Sequence, residues 1–494
     1  MGKGSYLLAR WLFLRGLALV FAIAFVSLWV QVDGLIGSRG ILPITGFLAR
    51  VREATGGAAL LQLPTLCWIS ASDASLHALC ALGLLLSAAL FLGFAPRLAL
   101  ALLWLVYLSL VVAGQDFLSF QWDVLLLETA VFAIPFAPPT FRPGLAREPE
   151  PTRLSLLLVR WLLFRLMFAS GVVKCTSGDA CWGFGDLSAL TFHYWSQPLP
   201  TVFAWYADHL PLAFQKFSCA VMYAIEIGGS FLIFAPRRAR QVAFVAFLFL
   251  QLLIALTGNY GFFNLLSVVL GLPLLDDAVL ARFAPKRLAG RALAPREPRE
   301  RPRVLRIAGA VLAAAIFLFT GAKLLDNTRL LEKAGVSLPD PFLAAEEALG
   351  PFRSLNDYGL FRVMTKRRLE VEIQGSDDGL EWKPYRFRWK PGPVEAAPGW
   401  VAPHMPRLDW QMWFAVFRPA GQSRWMPPFV ERLLEGSPPV LGLLAENPFP
   451  DRPPRFVRGQ LYEYRFSGAE EKAATGAWWT RREAGVFFPP QSSR

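Results

Sequence analysis

Long apolar stretches constrain this chain more than any other feature. Trp11 to Val30 runs with a single charge, Arg15, inside it. About 20 apolar residues suffice for a helix to cross the hydrocarbon core of a bilayer. Comparable runs follow near 76–94, 97–113, 119–137, 154–174, 212–234, 239–257, 259–275 and 304–325. Together they predict a membrane all-α bundle of about nine transmembrane helices. A soluble fold of 494 residues does not need a hydrophobic fraction of 54% with only 18% charged residues. The first run continues unbroken past Ala22-Ile23-Ala24, a weak cleavage pattern, so it is read as a retained span and not as a signal peptide.

The net charge of +13 would suit nucleic acid if it were gathered on one surface. It is not, and no nucleic-acid partner is expected. Lys3, Arg10, Arg97, Arg142, Arg147, Arg153, Arg237, Arg238 and Arg240 fall in alternate short loops, and so do Arg282 to Arg303. The intervening loops hold Arg39, Arg50 and Arg52 and little else that is basic. That asymmetry is the positive-inside pattern. It predicts a multi-pass protein embedded in the lipid bilayer, with its amino terminus in the cytoplasm. The loop Gly171–Pro211 and all that follows residue 326 are then placed outside. The inner stretch 276–303, ending in RALAPREPRERPR, reads as an irregular linker. The expected division is a transmembrane domain over 1–325 with an outer-face loop at 175–211, a connector at 326–354, and an extracytoplasmic domain at 355–494.

That last part is predicted to be mostly β (α+β). Phe361–Thr365 and Arg368–Gln374 alternate with period two. Asp378-Gly379 reads as a hairpin tip and Tyr385–Trp389 as the returning strand. Phe429–Leu434 and Val440–Leu444 read as short helices, and Arg455–Phe466 and Trp478–Phe488 as two more strands. At about 140 residues such a unit can hold a core of its own.

Candidate functional residues form three groups. The outer loop contributes Lys174, Asp179, Trp182, Asp186, His193, Tyr194, Gln197 and Trp205. Interfacial anchoring accounts for Trp205 and Tyr206 but not for Asp186, His193 or Gln197. Within or beside spans lie Asp123, Glu128, Arg160, Arg165, Glu226, Asn259 and Asn264. Charges there are costly and should face the bundle interior and pair. Two readings stay open: structural pairs such as Glu128 or Glu226 with Arg160 or Arg165, or a polar cavity beneath the loop. The third group, His404, Arg407, Asp409, Trp410 and Trp413, reads as an aromatic tail surface able to bind proteins or as core filler. Cys175 and Cys181 share the loop and could form a disulfide in an oxidising compartment.

No GxSxG, HExxH or Walker pattern is present, and Gly183-Phe-Gly185 lacks the third glycine of a dinucleotide fingerprint. No catalytic residue, no metal site and no cofactor is therefore assigned. The alternative of a membrane enzyme, redox or lipid- or protein-modifying, would use a cavity near Lys174, Asp186 and His193.

Several stretches resemble the lipase maturation factor family. They include Ser170–Trp182, Leu190–Pro200, Gln31–Pro43, Gln121–Glu128 and Leu256–Asn264 in the membrane part. In the tail they include Asn356–Phe361, Glu372–Gly379, Pro403–Trp413 and Asn447–Asp451. The resemblance implies a polytopic membrane protein with a C-terminal domain on the lumenal side. In animals such proteins sit in the endoplasmic reticulum and help secreted dimeric lipases fold and assemble, without catalytic residues. The bundle also looks distantly similar to vitamin K-dependent carboxylase-like proteins, some of which are enzymes. The Arg-, Ala-, Leu- and Pro-rich composition and short loops look bacterial. The implied setting is therefore a bacterial inner membrane with the C-terminal domain in the periplasm. The implied partners are exported client proteins, lipase-like ones among them. A topology reporter fused after Leu325 should read as extracytoplasmic; a cytoplasmic signal there would overturn the predicted orientation.

Overall fold

The computed structural model of the protein describes residues 5–294 and 302–492. A helix falls on each apolar run. They are α1 (Leu7–Trp29), α2 (Asp73–Leu92), α3 (Pro96–Ala113), α4 (Gln121–Phe136), α5 (Arg153–Thr176), α6 (Leu212–Phe234), α7 (Arg237–Thr257), α8 (Phe263–Leu274) and α9 (Arg303–Asn327). Seven are long and apolar enough to cross a membrane. The 16-residue α4 and the short α8 do not reach that length, so the expected nine spans are not all met.

Local chemistry sets the helix ends. Ser72 Oγ accepts from Ser75 N at 3.2 Å before α2, and Thr152 Oγ1 accepts from Ser155 N at 3.0 Å before α5. Both satisfy first-turn donors that the helix leaves open. Gly93, at φ 83°, ends α2 in the left-handed conformation that glycine adopts without strain. The α1–α2 contact is tight: a Cβ on Gly83 would lie 2.3 Å from the Phe25 ring.

The turns gather at two ends. At the near end the Asp277 carboxylate accepts from Leu7 N, Leu8 N and Ala9 N at 2.8, 2.8 and 3.2 Å. Arg10 pairs there with Glu148 at 2.6 Å, and Arg237 Nη2 donates to Asp276 at 2.8 Å. Of the loop charges counted above, Lys3, Arg296, Arg299 and Arg301 lie outside the described residues. The stretch expected to be an irregular linker contains helices at Asp277–Leu280 and Lys286–Leu293. The rest of that linker, 295–301, lies outside the described residues.

The far end carries the loop at 171–211 and the C-terminal part. Four antiparallel strands, β1 (Arg368–Ser376), β2 (Lys383–Pro384), β3 (Phe456–Phe466) and β4 (Trp479–Ser492), lie in the order β2-β1-β3-β4. The long β1–β3 pairing runs from Arg368↔Tyr464 to Ser376↔Phe456. Two local expectations change. Phe361–Thr365 forms no strand. The returning strand stops at Pro384, because Arg386 turns away to bridge with Glu446; further on, the N–H groups of Trp389 and Lys390 go to the Asp409 carboxylate, at 2.8 and 2.9 Å. Pro403–Trp413, dense in turn formers, opens a helix, α10 (Arg407–Ala415).

All five cysteines are free, so the Cys175–Cys181 bond allowed by the sequence is not made. Asp179 Oδ1 accepts from Cys181 N at 3.1 Å. That turn leaves the Cys181 side chain in an apolar cluster with Trp182, Cys219 and Tyr223. A single apolar cluster runs from Phe13 and Phe21 of α1, through Trp122 and Trp410, to Val371 and Val457 of the sheet. The C-terminal core is therefore continuous with the core of the bundle and not separate from it.

Candidate functional site at the seam between bundle and sheet

The residues singled out from the sequence converge mainly on one feature, the seam where the sheet part seats on the far end of the bundle. Its centre is a buried ion pair. Asp123, in the first turn of α4, receives Arg407 Nη1 at 2.5 Å and Nη2 at 2.8 Å, and the Tyr107 hydroxyl at 2.6 Å. Both charged side chains are 0% exposed. Such a two-pronged geometry uses the planar guanidinium fully. Arg407 N also donates to Gln31 Oε1 at 2.8 Å, and Gln31 Nε2 donates to Met405 O at 2.9 Å. His404 Nδ1 lies 3.0 Å from Ser27 Oγ.

A second buried carboxylate, Glu128, sits five residues, about one and a half turns, further into α4. It pairs with Arg165 and receives Asn356 N at 2.9 Å and Tyr358 OH at 2.5 Å. Arg165 Nη1 donates to Asn356 O at 3.1 Å. Asn259 then holds the next segment: its Oδ1 accepts from Val401 N and Ala402 N at 2.8 and 3.0 Å, and its Nδ2 donates to Gly399 O at 2.9 Å.

The loop at 171–211 is wedged into the same seam. Arg368, the first residue of β1, is buried. It donates to the carbonyls of Trp195 at 2.9 Å and Pro198 at 2.7 Å and also binds that of Gln197, while pairing with Glu370 at 2.7 Å. Trp413 Nε1 donates to Ser196 O at 2.8 Å and Trp205 Nε1 to Ser467 O at 3.0 Å. Gln197 Oε1 accepts from Tyr260 OH at 2.8 Å. The Asp179 carboxylate accepts from Met364 N at 2.8 Å. Its burial opposes ionisation, but the Met364 and Cys181 N–H groups and Lys366 prevail and hold its carboxyl below the usual range.

The tail residues read as a binding surface are thus largely interior. Arg407 is 0%, Asp409 3% and Trp410 3% exposed. Aromatic and polar density marks a surface, and here that surface is already covered by the bundle. Burial, outweighing its hydrogen bonds, pushes the Asp409 carboxyl up. Trp410 stands edge-on to Trp122 at 4.8 Å and to Tyr260 at 5.7 Å.

Other candidates lie apart. Glu226, in the π turn Ala224–Gly228 of α6, pairs with Lys174 at 2.8 Å and not with an arginine. Arg160 lies toward the near end. Its Nη2 donates to Pro273 O at 2.8 Å, and its guanidinium sits over the Tyr6 ring. Asn264 Nδ2 donates to Gln251 Oε1 at 2.8 Å, joining α8 to α7. Asp186 is at the surface, 3.5 Å from Lys216. His193 packs edge-on to Phe361 at 4.8 Å and beside Tyr194. Burial, helped by Lys174, pushes its imidazole down to about 4. Lys174 is taken up by Glu226 and Asp186 lies beside Lys216 at the surface, and the enzyme reading that joined them with His193 is not supported.

Sequence reasoning missed Tyr107, Gln31, Tyr358, Arg368 and Glu370. Gln31 and Tyr358 fall in or beside the stretches that carry the family resemblance. Tyr107 and Arg368 give no local signal at all.

Comparison with known proteins decides the family. Residues 8–282 match the model of the lipase maturation factor transmembrane domain, and 354–489 match that of the lipase maturation factor C-terminal domain. The chain belongs to the lipase maturation factor family. It is similar to lipase maturation factor 2 of Gallus gallus, 37% identical over 98% of this chain and 81% of the relative. It is also similar to lipase maturation factor 1 of Bos taurus, 35% identical over 99% and 90%. The human lipase maturation factor 2 is 37% identical over 98% and 83%. No solved structure matches. The seam joins the two family domains: Asp123, Glu128 and Asn259 come from the first, and Asn356, Arg368 and Arg407 from the second.

Two outcomes follow from this geometry. Arg407→Ala leaves the Asp123 carboxylate buried without its cation and should cost about 3–5 kcal/mol, read as a lowered thermal midpoint in detergent. The double change Asp123→Asn with Arg407→Met should recover most of that loss. A single-variant cost no larger than about 0.5 kcal/mol, that of an ordinary surface change, would rule the pair out as the fastening. For His193, whose folded-state pKa is depressed, the unfolded chain binds more protons between its ordinary value and about 4. Stability should therefore fall as pH drops through that window. His193→Gln should flatten that part of the curve, and an unchanged slope would refute the assignment.

Proposed function

We propose that this chain is a membrane-anchored maturation factor that assists folding, assembly or maturation of exported proteins, lipases foremost among its clients. The names of its relatives, lipase maturation factors 1 and 2, support the client class. The seam supports it too, since both family domains are present and joined through buried charges. The proposed setting is a bacterial inner membrane with the near end in the cytoplasm and the sheet part in the periplasm. The near-end location of Arg10, Arg237 and Arg240 fits that orientation under the positive-inside rule.

Deleting the chain from its source cells and measuring exported lipase, as activity per mass of secreted enzyme, tests this reading. The specific activity should fall, and re-expression of the full chain should restore it. Exported lipase of unchanged mass and unchanged specific activity would overturn the client assignment.

A further inference from the structure

A concavity of about 350 Å³ lies where the start of α6 meets the end of β3, lined by Asp208, Leu210, Leu212, Gln215, Trp195 and Arg465 among others. Its polar groups are unmatched. Gln215 is 4% exposed. Its Nε2 donates to the carbonyls of Asp208 at 2.8 Å and Leu210 at 3.1 Å. Those two acceptors fix which way the amide points. Its Oε1 is therefore the buried atom without a partner, a rare condition in a folded protein. The Asp208 carboxylate makes no ion pair and no side-chain hydrogen bond among the described residues, and burial pushes its carboxyl up to about 6 against the pull of His209 and Arg465. Arg465 lies over the Trp195 ring at 4.9 Å and has no carboxylate partner among the described residues.

Gln215 Oε1 is occluded, so the concavity offers one carboxylate without an ion-pair partner and one cation without a carboxylate partner. Their complement is a compact group that carries several N–H donors beside an anion. The surroundings narrow the class further. Leu212 is the first residue of a helix long enough to span, and span ends lie at the headgroup level of a bilayer. Leu212, Phe214 and Phe217 are 56%, 51% and 63% exposed and continue an apolar surface away from the concavity along α6.

We propose that this concavity binds the headgroup of an aminophospholipid. The primary ammonium donates to Asp208, the phosphate meets Arg465, and the acyl chains follow Leu212, Phe214 and Phe217. A trimethylated ammonium has no N–H to give the Asp208 carboxylate. The aromatic face able to attract it instead, Trp195, is already covered by Arg465. The site is separate from the seam and needs no client, so its failure would leave the maturation reading untouched.

The test uses the full chain in nanodiscs of phosphatidylethanolamine and phosphatidylcholine in equal parts, with a fixed share of phosphatidylglycerol. Native mass spectrometry reads the lipids that stay bound on release. Phosphatidylethanolamine should be retained about tenfold over phosphatidylcholine, the factor that one charge-assisted hydrogen bond carries. Asp208→Asn should bring the two close to parity, while Arg465→Gln should lower retention of both. Both positions have solvent access, and unchanged thermal midpoints would show that the variants fold. Equal retention by the unaltered chain overturns the proposal, and so does a preference that survives Asp208→Asn. Displacement of the lipid by a lysine-rich peptide at equal concentration would also overturn it, assigning the site to polypeptide.

Discussion

Asp123 places a carboxylate at the far end of a helical bundle where nothing but protein surrounds it. Withdrawing such a charge from water costs several kcal/mol even after relaxation, so its partners must be present and well placed. Tyr107 supplies one, from the neighbouring helix. The other arrives 284 residues later in the chain, as Arg407. Much of the far end takes its position from that meeting. With Arg407 fixed, the next turn of α10 sets Trp410 against Trp122. The turn after that brings Trp413 Nε1 onto Ser196 O. Strand β1 packs behind α10, and Asp409 holds the chain at Trp389 and Lys390.

A seam built from polar contacts differs in kind from one built from leucines. Apolar faces tolerate sliding, whereas a guanidinium that must reach particular carbonyls does not. Arg368 shows the principle: its donors go to main-chain oxygens of the Trp195–Pro198 turn, so the strand and the loop can meet in one register only. The loop consequently acts as a wedge between bundle and sheet. Its Gln197, His193 and Trp205 are spent on that fit, and they are not presented to solvent for recognition.

The membrane architecture was legible because burial in lipid leaves a linear trace: runs of apolar residues, and basic loops on alternate sides. Glu128 with Arg165 was also within reach, since both lie in apolar runs where a charge must find a partner. Arg407 with Asp123 was not, because neither residue carries a mark that distinguishes a partner 284 positions away from solvent. For the same reason Asp409 and Trp410 read as an exposed surface: aromatic and polar density looks alike whether water or another domain covers it. Tyr385–Trp389 kept the alternation of a strand, yet Arg386 turns away to bridge with Glu446, and the N–H groups of Trp389 and Lys390 were claimed by a carboxylate downstream. Cys175 and Cys181 had a suitable spacing, but the capped turn between them directs Cys181 into an apolar cluster.

The family is recognised as two sequence domains, and the physics ties them into one unit. Glu128 draws its partners from Arg165 within the bundle and from Asn356 and Tyr358 beyond it. Asp123 draws its cation wholly from the C-terminal part. A bundle deprived of that part would keep its apolar contacts among α1 to α8 and would still hold a bare carboxylate in its far end. The C-terminal part alone would expose Met405, Leu408 and Trp410, which now lie in the shared core. Breaking a buried pair by removing one partner is far more costly than never having built it. The two domains therefore constrain each other's stability. Any surface that either domain exposes is carried on one body with a shared core.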